Sequence, residues 1–346
     1  MTIHHLPRQR GFTLVELMIA MALGLFLVGA ALNVVFANRQ AFQIAENQSR
    51  LQENARAAFE LLAHDIRAAG GNPCGANRVT NNLTNSAALW WANWAAGPIR
   101  GFENSAAGDG AHGIVPVGAA MNNRLAGSDA IIVMSANAGE TVVAAQHNSG
   151  AAPPSFRVTN NQHGFTQGSV ILACDEMDAV IFEATNIQPV PANTTIEHAA
   201  GGIAPGNIQA NLGKTYANGT FLSRLRASFW YVGSNGRGSN SLFRLGVDGQ
   251  PAPRLDEVVE GVTNMQIQYI ERNPATGLLT AGTWINANQI ASWPFVLTSP
   301  RVEAVRIQLS LSSRDQVGID PATGNPKTID TELNETIYLR NREYNP

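Results

Sequence analysis

The chain has 346 residues, with 23 Lys and Arg against 26 Asp and Glu, so its net charge is −3. This near-balance excludes a broad nucleic-acid-binding surface, which needs a basic face for the phosphates. A hydrophobic content of 45% supports a sizeable core and excludes a wholly disordered chain. Two Cys and seven scattered His leave too few ligands for a four-ligand zinc cluster.

The N-terminus is a short basic segment followed by a long apolar one. Residues 1–10 contain Arg8 and Arg10 and no acid, and the only charge in residues 12–36 is Glu16. At about 1.5 Å per residue the apolar segment forms roughly 37 Å of helix, enough to span a hydrocarbon core of about 30 Å. The basic flank should remain cytoplasmic, which places the C-terminal bulk outside.

An ordinary secretory signal peptide is the alternative interpretation of this segment. Arg8 and Arg10 would be its charged region, and residues 28–30 (Val-Gly-Ala) its small-residue cleavage site. The apolar run is longer than the usual 7–15 residues, and it contains Glu16, a carboxylate from which a signal peptide gains nothing. Both features favour a retained membrane anchor.

Residues 11–17, Gly-Phe-Thr-Leu-Val-Glu-Leu, resemble the type IV prepilin processing motif. The resemblance implies that prepilin peptidase cleaves between Gly11 and Phe12 and that the new amine of Phe12 is methylated. It also implies that Glu16 helps assembly by pairing with the terminal amine of a neighbouring subunit, since a buried carboxylate is tolerable only when paired. Alternatively, Glu16 reaches the headgroup region of the membrane. Many major pilins have a proline in this helix, but no Pro occurs here between Pro7 and Pro73.

The helix is predicted to continue outside the membrane over residues 37–69, which contain no Pro or Gly. An apolar stripe recurs at helical spacing, formed by Leu51, Ala55, Phe59, Leu62 and Ile66. The polar residues Gln52, Arg56, Glu60 and Asp65 are expected on the other faces. Gly70, Gly71 and Pro73 should end the helix. The amphipathic half needs a partner surface, and the chain's own C-terminal domain is the most economical one.

Residues 70–127 are predicted to form an insertion rich in Asn, Gly and Trp, and residues 128–346 an antiparallel β-rich domain. Alternating apolar and polar residues, typical of antiparallel strands, occur at 265–269 and 305–311. Further predicted strands are 128–135, 169–174, 178–185, 225–232, 241–245 and 336–339. The turn-rich residues 233–240 should join two of them as a long hairpin loop. The similar turn texts at 273–277 and 320–324 are expected to be hairpin loops.

Several short motifs along the chain are similar to those of PilW-type minor pilins. They are residues 65–70 (DIRAAG), 74–75 (CG), 98–102 (PIRGF), 259–262 (VEGV), 268–269 (QY) and 338–341 (YLRN). The resemblance implies an α+β, pilin-like fold: a long N-terminal helix, half in the membrane and half amphipathic, packed on an antiparallel sheet with long loops. It also implies partners, namely other minor pilins, the major pilin and an inner-membrane assembly platform.

Cys74 and Cys174 are the only cysteines, and both are expected outside the cytoplasm, where disulfides form readily. A disulfide between them would tie the helix end to the sheet. Two separate buried thiols are the alternative.

No other site emerges from the sequence. Hydrolase, phosphate-loop and metalloprotease motifs are absent, so no catalytic residue, metal or cofactor is expected. The His residues are isolated along the chain and are interpreted as structural or solvated. An acidic loop could collect oxygen ligands for Ca²⁺ through Asp315, Asp320, Asn325 and Asp330, although its spacing matches no EF-hand. Trp90, Trp91 and Trp94 are expected to form a core cluster, with a binding surface as the alternative.

The sequence therefore predicts a minor pilin of a type IV pilus, linked to twitching motility and cell adhesion, anchored in a bacterial inner membrane with its C-terminal domain in the periplasm. After assembly it would lie in the cell-surface pilus, where it starts the filament or occupies its tip. Three alternatives remain open: a minor pseudopilin of a type II secretion system, a secreted or anchored periplasmic enzyme, and a tip adhesin that uses the tryptophans.

Overall fold

The structure is a computed structural model, and it describes residues 13–76, 78–103, 114–136, 141–159, 163–190, 193–279, 283–294, 299–319 and 324–340. The chain forms two compact units. The first comprises Met1–Arg50 with Asp315–Ile329, and the second comprises Leu51–Arg314 with Asp330–Pro346.

One long helix, α1 (Leu14–Arg67), begins in the first unit and ends in the second. The predicted long N-terminal helix is therefore confirmed, with ends within two residues of those expected. Its first part is long and apolar enough to cross a membrane. The helix ends before Gly70, which has φ +72° and donates its N–H to the Met134 carbonyl at 2.9 Å. Glycine suits this left-handed position because it has no Cβ.

The described residues form eighteen strands, numbered in chain order. They are β1 (Arg78–Asn81), β2 (Ile99–Phe102), β3 (Ala130–Ala136), β4 (Val142–Asn148), β5 (Ser155–Val158), β6 (Val170–Cys174), β7 (Asp178–Glu183), β8 (Asn186–Val190), β9 (Asn193–Glu197), β10 (Phe221–Ser234), β11 (Asn240–Asp248), β12 (Arg254–Glu260), β13 (Val262–Arg272), β14 (Ile285–Asn286), β15 (Arg301–Ser312), β16 (Gly318–Ile319), β17 (Pro326–Lys327) and β18 (Asp330–Tyr338).

Strand β10 organises the larger sheet, which has twelve strands among the described residues. Its N-terminal end pairs with β6 and β4, and the rest of it pairs with β3 and β11. Two chains of strands therefore share β10: one runs β1-β7-β6-β10-β4-β5-β9-β8, and the other runs β2-β3-β10-β11-β12. The strand pairs described for this sheet are antiparallel except for β1 with β7. The sheet is thus mostly antiparallel, as predicted.

A smaller sheet has the order β14-β13-β15-β18. The alternation predicted for β13 and β15 is observed, because Met265, Ile267, Val305 and Ile307 are all buried. Strands β16 and β17 pair in the first unit, where Gln40 also donates to the Val317 carbonyl at 3.1 Å. The turn at residues 273–277 follows β13 as a hairpin loop, whereas residues 320–323 of the second turn text lie outside the described residues.

The sheet edges and loops depart from the prediction in three ways. Strands β4, β5, β8 and β9 were not predicted, because their residues lack a clear apolar strand pattern; they form by pairing with one another. The loop between β10 and β11 spans only residues 235–239, since Ser234 pairs with Asn240. The predicted insertion supplies β1 and β2, so part of residues 70–127 belongs to the large sheet.

The two faces of the large sheet bury different groups. Side chains alternate along a strand, so Ala227, Phe229 and Tyr231 point to one face of β10 and Ser228 and Trp230 to the other. The first set lies in a core cluster that includes the buried Trp91, with Trp90 and Trp94 packed against it. The tryptophans thus belong to the core, as predicted. The second face meets the last turns of α1.

The buried stripe of α1 differs from the predicted one at a single turn. It consists of Leu51, Ala55, Ala58, Leu62, Ala63 and Ile66, and Ala69 just after the helix is also buried. Ala58 is fully buried, whereas Phe59 is half-buried beside Leu333 of β18. The prediction placed the larger apolar residue inside, but a small side chain lets the helix backbone approach its partner surface closely. The stripe is therefore confirmed except for Phe59, which Ala58 replaces.

Replacing Ala58 by Leu should destabilise the second unit by about 1–3 kcal/mol, because added methyl groups at a fully packed site force neighbouring atoms apart. Urea unfolding of the full chain in a nonionic detergent measures this. The matched control is Ala57→Leu on the exposed side of the same turn, which should change the free energy of unfolding by less than about 0.5 kcal/mol. Equal effects of the two variants would contradict the observed stripe.

Candidate functional site: the assembly helix and its anchor

The N-terminus of α1 is closed by a reciprocal pair of residues. The Glu16 Oε2 atom accepts hydrogen bonds from the backbone N–H and the hydroxyl of Thr13, both at 3.0 Å. In return, the Glu16 N–H donates to the Thr13 Oγ1 atom at 3.3 Å. This is a capping box, which satisfies helix N–H groups that would otherwise lack partners. Gly11 and Phe12 lie outside the described residues, so cleavage, methylation and amine pairing remain predictions.

The prediction for Glu16 considered a neighbouring subunit and overlooked this local role. The signal was available, since Thr13-x-x-Glu16 directly precedes the apolar run and is the sequence pattern of a capping box. The Glu16 carboxylate is exposed and its bonds are formed with one residue.

Beyond the cap, the first turns of α1 expose apolar side chains on every side. Large exposed residues occur throughout this part of the helix, and they include Leu14, Val15, Leu17, Met18, Ile19, Met21, Leu23, Leu25, Phe26, Leu27, Val28 and Phe36. An all-round apolar helix needs lipid or other apolar helices around it. This segment is thus suited to membrane insertion and to packing against similar helices.

The other end of α1 is fixed to the sheet by Asp65. Its Oδ2 atom accepts a hydrogen bond of 3.0 Å from the Nε1 atom of Trp230 and lies 3.5 Å from the Nε atom of Arg244. Trp230 is buried, so its indole N–H needs this acceptor. Asp65 lies outside the buried apolar stripe, as predicted, but its bond to Trp230 was not predicted. The sequence could not indicate this contact, because Trp230 and Arg244 are more than 160 residues away from Asp65 in the chain.

A disulfide adds a covalent tie just beyond the helix. Cys74 follows the end of α1 and pairs with Cys174 at the end of β6, with Cα atoms 6.0 Å apart. The closed loop spans a sequence separation of 100 residues. In the chain-entropy account such a loop contributes up to about 4.7 kcal/mol by restricting the unfolded chain.

Two of the short motifs found in the sequence, residues 98–102 and 268–269, are in contact in the structure. Gly101 of the 98–102 motif faces the hydroxyl of the buried Tyr269, which belongs to the 268–269 motif. Any Cβ at residue 101 would overlap the Tyr269 ring, so only glycine fits there. Tyr269 also stacks edge-on against Trp293, with ring centroids 5.1 Å apart. The motifs therefore mark where β2 of the large sheet approaches β13 of the small one.

Two histidines that appear isolated in the sequence are in contact. The Nε2 atoms of His147 and His198 lie 3.1 Å apart, and both side chains are buried. The Tyr216 N–H donates to His147 Nδ1 at 2.9 Å, and His198 Nδ1 lies 3.1 Å from the Ala210 carbonyl. These partners assign a proton to His147 Nε2 and another to His198 Nδ1, so both rings are neutral. The expectation of isolated histidines is corrected for this pair.

The pair is a structural element rather than a cation site. The lone pair of His147 Nδ1 receives the Tyr216 N–H, and the Nε2 proton occupies the space between the rings. The described residues contain no group of three His, Cys, Asp or Glu that could hold a metal ion. For the proposed calcium loop, Asp320 lies outside the described residues.

Two family models match this chain. Residues 6–32 match the prokaryotic N-terminal methylation motif, and residues 229–341 match the type IV pilus-assembly protein W family. The first match and the fold define the class: a pilin-like protein with a prepilin-type N-terminus. The second match covers the C-terminal third of the chain, so this part is similar to a family of structural components of the pilus-assembly machinery. No curated protein and no solved structure matches it.

The histidine pair should make the stability of the protein fall in mild acid. Burial, with a smaller contribution from His147, lowers the pKa of His198 to about 4, and burial also lowers the pKa of His147. The unfolded chain, with an ordinary His pKa near 6.5, therefore binds more protons than the folded chain as the pH falls. For His198 this effect on the free energy of unfolding is roughly 3 kcal/mol, at about 1.4 kcal/mol per pKa unit. The full stability is present above about pH 6.5, and this amount is lost as the pH falls towards about 4.

Thermal unfolding of the full chain in detergent between pH 7.5 and 4.5 measures this dependence. His198→Gln removes the titrating ring and should flatten the curve in this window. His64→Gln, at an exposed histidine of α1, should leave the slope unchanged. An unchanged slope in the His198 variant would show that the pair does not titrate as described.

Proposed function

We propose that this protein is a minor pilin that starts assembly of a type IV pilus or lies at its tip together with other minor pilins. One observation carries the proposal: a single helix combines an all-round apolar half with a half anchored to a large β domain. The apolar half holds the precursor in the bacterial inner membrane, with the β domain in the periplasm. The same surface then packs against the helices of other subunits in the filament.

Processing and partners follow from the N-terminal motif. Prepilin peptidase cleaves between Gly11 and Phe12 and methylates Phe12, and Glu16 then pairs with the amine of an adjacent subunit. The partners are the major pilin, other minor pilins and the inner-membrane assembly platform. The methylation-motif match and the PilW match support this proposal.

The size of the β domain supports a place at the tip. The twelve-stranded sheet and its loops make a bulky subunit for a slender shaft, whereas the end of a filament has free space around it. The protein should consequently be far less abundant in purified pili than the major pilin. The role is structural, which the match to a pilus-assembly family supports.

Deleting the gene tests the function. The proposal expects surface pili to be lost, with exoprotein secretion unchanged, and a plasmid copy of the wild-type gene to restore them. Lost secretion with normal pili would instead identify a pseudopilin of a type II secretion system, which shares the leader, Glu16 and the fold. Normal pili and normal secretion would contradict an assembly role.

Glu16 variants separate the capping role from the pairing role. Glu16→Gln retains an acceptor for the capping box but removes the charge, so its incorporation into pili should fall at least tenfold, as for Glu16→Ala. Thr13→Ala removes the cap and keeps the charge, so it should reduce incorporation less. Quantitative immunoblotting of sheared pili measures all three against the membrane pool. Wild-type incorporation of Glu16→Gln would reduce the role of Glu16 to capping.

A further inference from the structure

A polar cleft lies in the second unit between the last turns of α1 and the strands β3, β10 and β11. Its volume is about 480 Å³. Side chains from five separate segments line it: Arg67 from α1, Ser135 from β3, Arg226 from β10, Arg244 from β11, and Arg340 after β18. The anchor residue Asp65 forms part of its wall.

The arginines of the sheet already pair with carboxylates of the chain itself. Arg226 donates from its Nε atom to Asp248 at 2.7 Å, and Arg244 Nε lies 3.5 Å from Asp65. Arg244 also donates to the Ser228 hydroxyl at 3.0 Å. Arg226 and Arg244 form the floor of the cleft, where guanidinium groups already bind carboxylates of the chain and the charges are largely compensated.

The rim of the cleft, formed by Arg67 and Arg340, differs from the floor in that its arginines are not paired with carboxylates of the described residues. Among the residues that the structure describes, Arg67 and Arg340 have no hydrogen-bond or ion-pair partner for their guanidinium groups. Arg67 is half-buried and Arg340 is exposed, and the half-buried Ser135 hydroxyl between strand and helix also lacks a described partner. The carbonyls at the helix C-terminus add partial negative charge, which Arg67 in the last turn offsets. Four arginines face two lining acids, Glu60 and Asp65, so the cleft is net positive.

We propose that this cleft binds an acidic peptide segment of a partner protein, with carboxylates paired to Arg67 and Arg340. A guanidinium group binds a carboxylate with two parallel hydrogen bonds, and two such groups on separate segments suit two acidic side chains. The cavity has more room than a single small oxyanion requires. That the partner is another pilus subunit rests on the proposed function, whereas the binding itself does not.

Fluorescence anisotropy tests the site with the full chain in a nonionic detergent. The probe is a labelled hexaglutamate peptide, and hexalysine is the charge-reversed control. The acidic peptide should bind, the basic one should not, and affinity should fall with added salt. The double variant Arg67→Gln/Arg340→Gln should weaken binding at least tenfold. Circular dichroism and the unfolding temperature show whether the variant remains folded, as expected for side chains without described partners.

Arg254→Gln is the matched control, because this exposed arginine of β12 pairs with Asp256 outside the cleft. It should change the affinity less than twofold. Equal losses in the control and the double variant would show non-specific charge attraction and overturn the proposal. Inorganic phosphate is the competitor: displacement of the peptide by phosphate at the same concentration would show a small-oxyanion site and would also overturn it. A failure of peptide binding leaves the pilus and secretion phenotypes unaffected, so the two proposals fail separately.

Discussion

The apolar surface at the start of α1 is the constraint on which the rest of the molecule depends. Its side chains are exposed on every side of the helix, and burying one such Leu or Phe side chain contributes roughly 1.5–3 kcal/mol. A dozen of them cannot remain in water, so this segment requires an apolar environment, either lipid or other apolar helices. The capping box of Thr13 and Glu16 keeps the helix regular up to its first residue, where those contacts begin.

The second unit fixes the helix at its far end. The small residues Ala55, Ala58 and Ala63 let α1 lie close to its partner surface, and Asp65 accepts the indole N–H of Trp230. The disulfide then holds the chain just beyond the helix. These contacts all lie in the second unit, where they tie the last turns of α1 to the large sheet.

The sequence predicted the parts of the fold that rest on local periodicity. The helix, its end at Gly70 and the alternating strands β13 and β15 follow from the spacing of apolar residues, and the PilW resemblance supplied the fold class. Strands β8 and β9 were not predicted, because β8 contains Pro189 and the residues around Thr194 in β9 are polar. Neither segment has the apolar pattern of a strand. Their formation depends on pairing with each other and with β5. The contacts of Asp65 and of the His147–His198 pair were not predicted, because the partner residues are distant in sequence.

The central claim is that the apolar helix stays in the mature protein and enters the filament. Mass spectrometry of the N-terminal peptide, from chain recovered both from membranes and from sheared pili, tests it most directly. The account predicts that the mature chain begins with N-methylated Phe12 in both fractions. A chain that begins after Phe36 in either fraction would have lost the helix and would contradict the account.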